Sequence, residues 1–174
     1  YGALNATERG HFRDPFRDQL REFGRFVDFP VPDAEGRGSG PAESAWNEAA
    51  LDKALDRASA AGDVGAVIME PMQARGGIRI PPPWFLPCLR QWADRNGALL
   101  ILDEIPIGLG RTGRMFACEH FGVTPDLLVV GKGLGGGVMP LAAVLAREEF
   151  NTVASASLGH FTHEKNPISA AAGL

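Results

Sequence analysis

The residues best suited to chemistry are a lysine and two acids that follow apolar runs. Lys132 comes after the apolar run Leu127–Val130 and stands between Gly131 and Gly133. Lysine is seldom buried, and flanking glycines let a ligand approach the backbone closely. An amine that is partly shielded from water at this position would be a nucleophile towards a carbonyl carbon. The alternative is a strand-end lysine that reaches into solvent.

Strand and helix patterns alternate around these residues. Four apolar runs have the composition of buried strands: residues 64–69, 98–102, 127–130 and 141–145. Apolar residues recur at helical spacing within 42–62 and 81–97, and both segments end near a glycine. A short helix is expected around 116–121, whereas residues 1–41 are predicted to be an irregular surface excursion.

This alternation predicts βαβ units and a parallel sheet that is covered on both faces. Glu70, Asp103 and Lys132 are each placed at or just beyond the end of a predicted strand. Right-handed crossovers bring the carboxyl ends of parallel strands to one edge, where ligands bind in open α/β sheets. We therefore expect the three residues to converge on one crevice.

Composition narrows the classes of partner. The formal net charge is −4 without a basic run, which argues against nucleic acid or an anionic membrane surface. Cys88 and Cys118 lack CxxC spacing, and no apolar run has transmembrane length, so a reduced cytoplasmic protein is expected. The chain starts at Tyr1 and stops inside an apparent helix, so we expect a piece of a longer protein.

Asp103 has more than one possible role. It could cap a turn, act as a counter-ion to a cation, or hold the ring nitrogen of a heterocycle in its protonated form, as an aspartate does for pyridoxal phosphate. Glu104 is expected to point to the other side of the strand and to be structural.

Two further motifs suggest other ligands. Residues 131–136 match the dinucleotide pattern G-x-G-x-x-G, but a strand-like segment follows where that pattern requires a helix. The tract is not a P-loop either, because Lys132 is followed by glycine rather than serine or threonine. His160, His163 and Glu164 lack the spacing of a strong metal site, so we predict no metal.

Several long motifs resemble the class III aminotransferases, which are fold-type I pyridoxal-phosphate enzymes related to ornithine and 4-aminobutyrate aminotransferases. The motifs are VIMEPMQARGGIRIPP, LLILDEIPIGLGRTGRMFACEHFGVTPDLLVVGKGLGGG and HFTHEKNP. The resemblance runs from about Val64 to the end of the chain. It implies an incomplete α/β large domain with a three-layer, mostly parallel sheet, in which 1–62 is a peripheral segment and helix and 63–174 is the cofactor-binding core. The N-terminal segment and the C-terminal small domain would be absent.

The resemblance also implies roles for individual residues. Lys132 would form the internal aldimine with pyridoxal 5′-phosphate and then move a proton, while Asp103 would pair with the pyridine nitrogen. Thr162 matches a threonine that reaches the cofactor phosphate of the neighbouring subunit, which implies a homodimer. Glu70 would organise the site rather than react.

The implied activity is transfer of an amino group from an amine or amino acid to a 2-oxo acid, with the fragment alone inactive. Two departures from the family pattern concern the reaction. Pro106 replaces a glutamine that bonds the phenolic oxygen of the cofactor, and Ala74-Arg75 replaces Gly-Glu. These departures leave open an ammonia-lyase or an epimerase on the same fold. A non-catalytic nucleotide-binding module is a more distant alternative.

Overall fold

The computed structural model describes residues 2–21, 23–30, 46–153, 155–156, 162 and 165–174. The chain divides into two compact units, Tyr1–Val64 and Gly65–Leu174.

The first unit contains short helical turns and one longer helix. Helices α1 (Gly2–Asn5) and α2 (Gly10–Arg13) are followed by a 3₁₀ helix, Asp14–Gln19, and by α3 (Glu48–Ser59). The prediction of an irregular excursion over 1–41 is therefore wrong for its first half. Such turns need only local hydrogen bonds and leave no long periodic pattern in the sequence. Helix α3 is confirmed, and the side chain of Asn47 caps it by accepting the Ala50 N–H at 3.0 Å.

The second unit contains a four-stranded sheet. Its strands are β1 (Ala66–Met69), β2 (Leu99–Asp103), β3 (Leu127–Val130) and β4 (Ala143–Ala146), in the order β1-β2-β3-β4. Strands β1, β2 and β3 are parallel, whereas β4 runs antiparallel to β3. All four predicted strands are thus present, and the fold is the expected α/β fold with a mostly parallel sheet.

Helix α4 (Phe85–Asn96) supplies more of the described hydrophobic core of this unit than any other element. It contacts β1 and β2 and buries Leu86 and Trp92 almost completely. Gly97 ends the helix with φ 64°, a left-handed conformation that glycine adopts without strain. Leu100 and Leu102 of β2 are fully buried, so the core lies between this helix and one face of the sheet.

Within the described residues of the second unit, α4 covers one face of the sheet, and the other face is more exposed. Leu99 and Ile101, which alternate with the buried leucines of β2, are only half-buried. On the same face of the sheet, Ile68 of β1 is 51% exposed and Val144 of β4 is 59% exposed. Since successive strand residues face opposite sides, α4 covers one set and leaves the other open.

The remaining elements follow β2 and β3. The connection from β2 to β3 contains a 3₁₀ helix, Ala117–Phe121, at the position expected for a short helix. A 3₁₀ turn, Lys132–Gly135, follows β3, and another, Glu148–Phe150, follows β4. Helix α5 (Pro167–Ala172) contacts the Lys132–Gly135 turn. Within the described ranges, none of the helices combines the length and apolar character needed to cross a membrane.

Candidate active site

The three predicted site residues of the sheet lie at the same edge. Glu70 directly follows β1, Asp103 is the last residue of β2, and Lys132 lies two residues beyond β3. These strands are neighbours and run parallel, and Asp103 is paired in register with Val129. The carboxyl edge of the sheet therefore collects two acids and one amine, as the alternation of strands and helices predicts.

Lys132 has an unusual backbone conformation. Its φ is 47°, in the left-handed region that costs free energy for any residue with a Cβ atom. Such conformations persist only where the surroundings impose them, and they occur often at functional sites. The side chain is exposed in this chain, in contrast to the partly shielded amine expected from the sequence.

The glycines beside Lys132 have a packing role. A Cβ atom on Gly131 would lie 3.3 Å from both γ carbons of Ile105, and one on Gly133 would lie 3.4 Å from Cδ1 of Leu109. An added methyl group would therefore push against the loop that follows β2 at Gly131, whereas at Gly133 it would only make contact with that loop. The tract is followed by β4 rather than by a helix, so the structure does not support the dinucleotide-binding interpretation of these glycines.

Asp103 is half-buried, and its orientation is set by the backbone. Its Oδ1 atom accepts the N–H of Ile105 at 3.0 Å. Among the described residues no protein donor reaches its second oxygen, Oδ2. The carboxylate is thus held in place by one oxygen while the other can accept a hydrogen bond from a ligand.

Glu70 stabilises the turn that it begins. Its Oε2 atom accepts the Ala74 N–H at 2.9 Å. The chain then forms a narrow antiparallel bridge between Gln73 and Arg79. Arg75, which departs from the family pattern, lies exposed within this turn. Glu70 therefore organises the loop after β1, and its carboxylate is partly engaged in doing so.

The fourth predicted residue, Thr162, is exposed in a turn ahead of α5. The structure does not bring it together with Asp103 in any described contact. His160, His163 and Glu164 lie outside the described residues. Within the part of the chain that is described, no group of three or more acids, histidines and cysteines could hold a metal ion.

Both cysteines are free thiols and buried. Burial, followed by the negative charge of Glu104, raises the pKa of the Cys118 thiol to about 12. A thiol with such a pKa is protonated at neutral pH and is a poor nucleophile. Cys118 is also buried, whereas Lys132 is exposed, so the amine of Lys132 is the more accessible candidate for nucleophilic chemistry.

Two residues near the lysine were not predicted from the sequence. Leu109 packs against the site of Gly133, and a guanidinium nitrogen of Arg111 lies 3.9 Å from the position that a Gly133 Cβ would occupy. The available signal was the pair of glycines around Lys132, since glycine on both sides of a functional residue leaves room for bulky neighbours. Which neighbours fill that room depends on the path of the loop after β2.

Comparison with known proteins gives a consistent family. The family model described as Aminotransferase class-III matches residues 1–174. The chain is similar to an (S)-enantioselective omega-transaminase from Thermomicrobium roseum, with 30% identity over 99% of this chain and 39% of that one and a TM-score of 0.76. It is also similar to the ornithine aminotransferase of Toxoplasma gondii, with 30% identity, coverage of 98% and 35%, and a TM-score of 0.70.

A third similar structure is the ornithine delta-aminotransferase of Plasmodium falciparum, with 33% identity, coverage of 73% and 32%, and a TM-score of 0.65. The Toxoplasma structure has partial occupancy of pyridoxal phosphate at its active site. The chain spans about a third of the length of these structures. On the family match over its whole length and on these similarities, the chain belongs to the class III aminotransferases, a family of pyridoxal-phosphate-dependent enzymes.

Proposed function

We propose that this chain is the cofactor-binding part of an enzyme that moves an amino group from an amine or amino acid to a 2-oxo acid. The observation that carries the proposal is the placement of Lys132 and Asp103 beyond neighbouring parallel strands in a chain that matches this family throughout. Both units, divided at Val64 and Gly65, are assigned to the large domain of that enzyme.

The donor set fits pyridoxal 5′-phosphate. The cofactor presents an aldehyde, which requires an amine, and a pyridine nitrogen, which requires a carboxylate. Lys132 supplies an exposed amine, and Asp103 supplies an oxygen that no protein donor reaches among the described residues. When bound, the cofactor supplies an electron-accepting ring that stabilises negative charge on the substrate carbon.

The residues of the chain have distinct tasks in this proposal. The Nζ atom of Lys132 would hold the cofactor through its aldehyde, with loss of water, and as a free amine, once displaced by the substrate amine, would take up and return the proton of the substrate carbon. The carboxylate of Asp103 holds the proton on the ring nitrogen, because an anion beside that nitrogen favours its charged form. Glu70 keeps the loop after β1 in place through the Ala74 N–H.

Thr162 is proposed to donate its hydroxyl to the cofactor phosphate in a neighbouring subunit, which makes the enzyme a homodimer. Its exposed position supports this, since a residue that reaches another subunit must be accessible in the single chain. A cytoplasmic location is supported by Cys88 and Cys118, both free thiols. The net charge of −4 supports small molecules rather than nucleic acid or an anionic membrane as partners.

A lyase or epimerase is the second candidate, favoured by Pro106. This half-buried residue follows Asp103 closely and has no side-chain donor for the cofactor. Turnover of an amine substrate with and without a 2-oxo acid separates the two reactions. Product formation that requires the 2-oxo acid supports amino-group transfer, whereas ammonia or inverted product without it supports the second candidate.

Covalent capture of the cofactor tests the main proposal. The full-length gene product is incubated with pyridoxal 5′-phosphate, reduced with borohydride, digested and analysed by mass spectrometry. We expect the added mass on the peptide that contains Lys132, its loss in Lys132→Ala, and no change in the control Lys53→Ala. Absence of the adduct from Lys132, or full turnover by Lys132→Ala, would contradict the proposal. The 174-residue chain alone is expected to show no turnover.

A further inference from the structure

Glu104 is a buried acid for which the proposed chemistry has no use. It is only 1% exposed, although it directly follows β2 and the proposed cofactor residue Asp103. Burial of a carboxylate is costly unless its oxygens accept hydrogen bonds. Both oxygens of Glu104 do so: Oε2 accepts the Ala117 N–H at 2.7 Å and Oε1 accepts the Cys118 N–H at 2.8 Å.

These bonds close the segment 105–116, which we call the bracing loop. The side chain of Glu104 holds the residues that follow the loop, and its carbonyl oxygen accepts the N–H groups of Ile107 at 3.1 Å and Gly108 at 2.8 Å near the start. The N–H of Glu104 donates to the carbonyl of Val129 in β3 at 2.8 Å. One residue thus ties both ends of the loop to the strand that leads to Lys132.

The thiol of Cys118 adds no negative charge to those of the neighbouring Glu104 and Glu119. Burial raises the pKa of the Cys118 thiol to about 12, and the charge of Glu104 contributes to the rise. The thiol therefore remains neutral at physiological pH. The acids at the start of the 3₁₀ helix Ala117–Phe121 are Glu104, which accepts the Ala117 and Cys118 N–H groups, and Glu119, which accepts the Phe116 N–H.

The bracing loop packs against both neighbours of Lys132. Ile105 lies against Gly131, with both γ carbons 3.3 Å from the position of a Cβ atom there, and Leu109 lies against Gly133 at 3.4 Å. Leu109 itself has φ 59° and is a second residue with a left-handed backbone. The glycines on both sides of the left-handed lysine therefore border side chains of one loop, and such a backbone needs support from its surroundings.

We propose that Glu104 is a positioning residue for Lys132, which it holds in its left-handed conformation through the bracing loop. Its effect on the reaction rests on the proposed function, whereas its effect on the backbone does not. Replacement by glutamine keeps the size of the side chain but turns an amide NH₂ towards one of the two N–H groups. A buried donor then loses its acceptor.

Hydrogen exchange in the full-length gene product tests the backbone effect without any cofactor. The reporters are the amides of Leu134 and Gly136, which donate to the carbonyls of Gly131 and Gly133 at 3.2 and 3.0 Å. In Glu104→Gln we expect both to exchange at least about tenfold faster relative to the β2 amide of Leu100. Glu104→Asp should show a smaller increase, because its carboxylate remains but is shorter.

Two further variants keep the test decisive. Leu109→Ala removes one packing side chain of the bracing loop and leaves the hydrogen bonds of Glu104 in place. The amides of Leu134 and Gly136 should then exchange about threefold faster, a result that does not depend on whether Glu104→Gln folds. Glu119→Gln is the matched control, because Glu119 is an exposed acid that accepts the Phe116 N–H at 2.7 Å at the start of the same 3₁₀ helix. This variant should leave the exchange rates of Leu134 and Gly136 unchanged. If exchange rises in 105–116 but not at Leu134 and Gly136, or if Leu109→Ala leaves them unchanged, the proposal is overturned.

The functional part is read from the rate of cofactor capture on Lys132. We expect Glu104→Gln to lower kcat and the capture rate at an unchanged KM, with partial rescue in Glu104→Asp. If the parental protein captures no cofactor, the proposed function is refuted, and hydrogen exchange alone then tests the effect of Glu104 on the backbone. If a folded Glu104→Gln variant captures the cofactor at the parental rate, the positioning role of Glu104 is overturned, whereas the proposed function is not.

Discussion

The two edges of the sheet differ in how their charged residues are satisfied. At the amino edge, the carboxylate of Asp126 accepts the Leu100 N–H at 2.8 Å, Arg90 of α4 at 2.7 Å and Arg147 after β4 at 2.9 Å. At the carboxyl edge, Lys132 is exposed on a strained backbone and Asp103 uses only one oxygen within the described chain.

The difference separates stability from chemistry. Asp126 joins one helix to three strands through a single carboxylate that is mostly shielded from water, an arrangement that stabilises the fold but leaves no oxygen for a ligand. The carboxyl edge leaves the proposed site residues accessible and has a strained backbone at Lys132, a combination that is common at functional sites. Variants at the amino edge should therefore lose stability, whereas variants at the carboxyl edge should lose activity.

The largest expected effect is at Lys132. Lys132→Gly should lower turnover of the full-length protein by at least about a thousandfold, because the nucleophile is lost. The same change should raise the free energy of unfolding by about 1 kcal/mol relative to Lys132→Ala, since glycine adopts φ 47° without strain. Denaturant titration of both variants measures the difference. Equal stability of the two variants would show that the left-handed backbone at residue 132 costs no stability.

The next largest effect is at Asp126. Asp126→Ala leaves the N–H of Leu100 without its acceptor and removes one of the two carboxylate partners of the mostly buried Arg90, which keeps its ion pair with Asp94. We therefore expect a loss of about 2–3 kcal/mol in unfolding free energy. Cofactor capture by the folded fraction should remain. The control is Glu149→Gln, which removes an exposed ion pair with Arg147 and should cost less than about 0.5 kcal/mol. Similar losses in both variants would contradict a special role for Asp126.

A smaller effect is expected at Gly131. Gly131→Ala places a methyl group 3.3 Å from Ile105 and 3.5 Å from Ala142, and should cost about 1–2 kcal/mol because the loop must move. Unlike Asp126→Ala, it should also slow cofactor capture on the neighbouring Lys132. Gly65→Ala serves as the control, because a Cβ there meets no atom within 4 Å. Unchanged stability of Gly131→Ala would show that the bracing loop accommodates the methyl group, which would contradict its close packing against Gly131.

The smallest effect is the pH dependence of the amino edge. Burial alone would raise the pKa of the Asp126 carboxyl, but the Leu100 N–H and the guanidinium of Arg90 outweigh it and hold the pKa below the ordinary value of 3.8. The stabilisation is therefore complete above about pH 4 and is lost as the pH falls through the lower folded-state pKa. Thermal unfolding of the parental protein should show this loss, and Asp126→Asn should show less of it. Parallel pH profiles of the two would contradict the assignment.

Much of the sheet could be predicted because its signals are local. Each strand is a short apolar run that ends at a glycine or a charged residue, and parallel topology follows from the helical pattern between the first two runs. The placement of Glu70, Asp103 and Lys132 at one edge then follows from geometry alone. The structural role of Glu104 was also accessible, because it alternates with Asp103 along the strand.

The missed features depend on the surroundings of a residue rather than on its type. An apolar strand has the same composition whether or not a layer covers it, so the exposure of Ile68 and Val144 is not visible in the sequence. The contact of Leu109 with Gly133 depends on the path of the bracing loop. The left-handed backbone of Lys132 was hidden because positive φ is expected at glycine, and the lysine has glycines on both sides.

The reversal of β4 has a consequence for the order of folding. Strands β3 and β4 pair antiparallel across the shortest connection in the sheet, with Val130 opposite Ala143. The parallel pairs β1–β2 and β2–β3 must instead close long crossovers, and loop closure costs more entropy as the separation grows. Since local contacts form sooner than distant ones, we expect this hairpin to be among the earliest structure in the second unit. Lys132 lies within its connection, so the proposed nucleophile would be placed near its final position before the strand that carries Asp103 has docked.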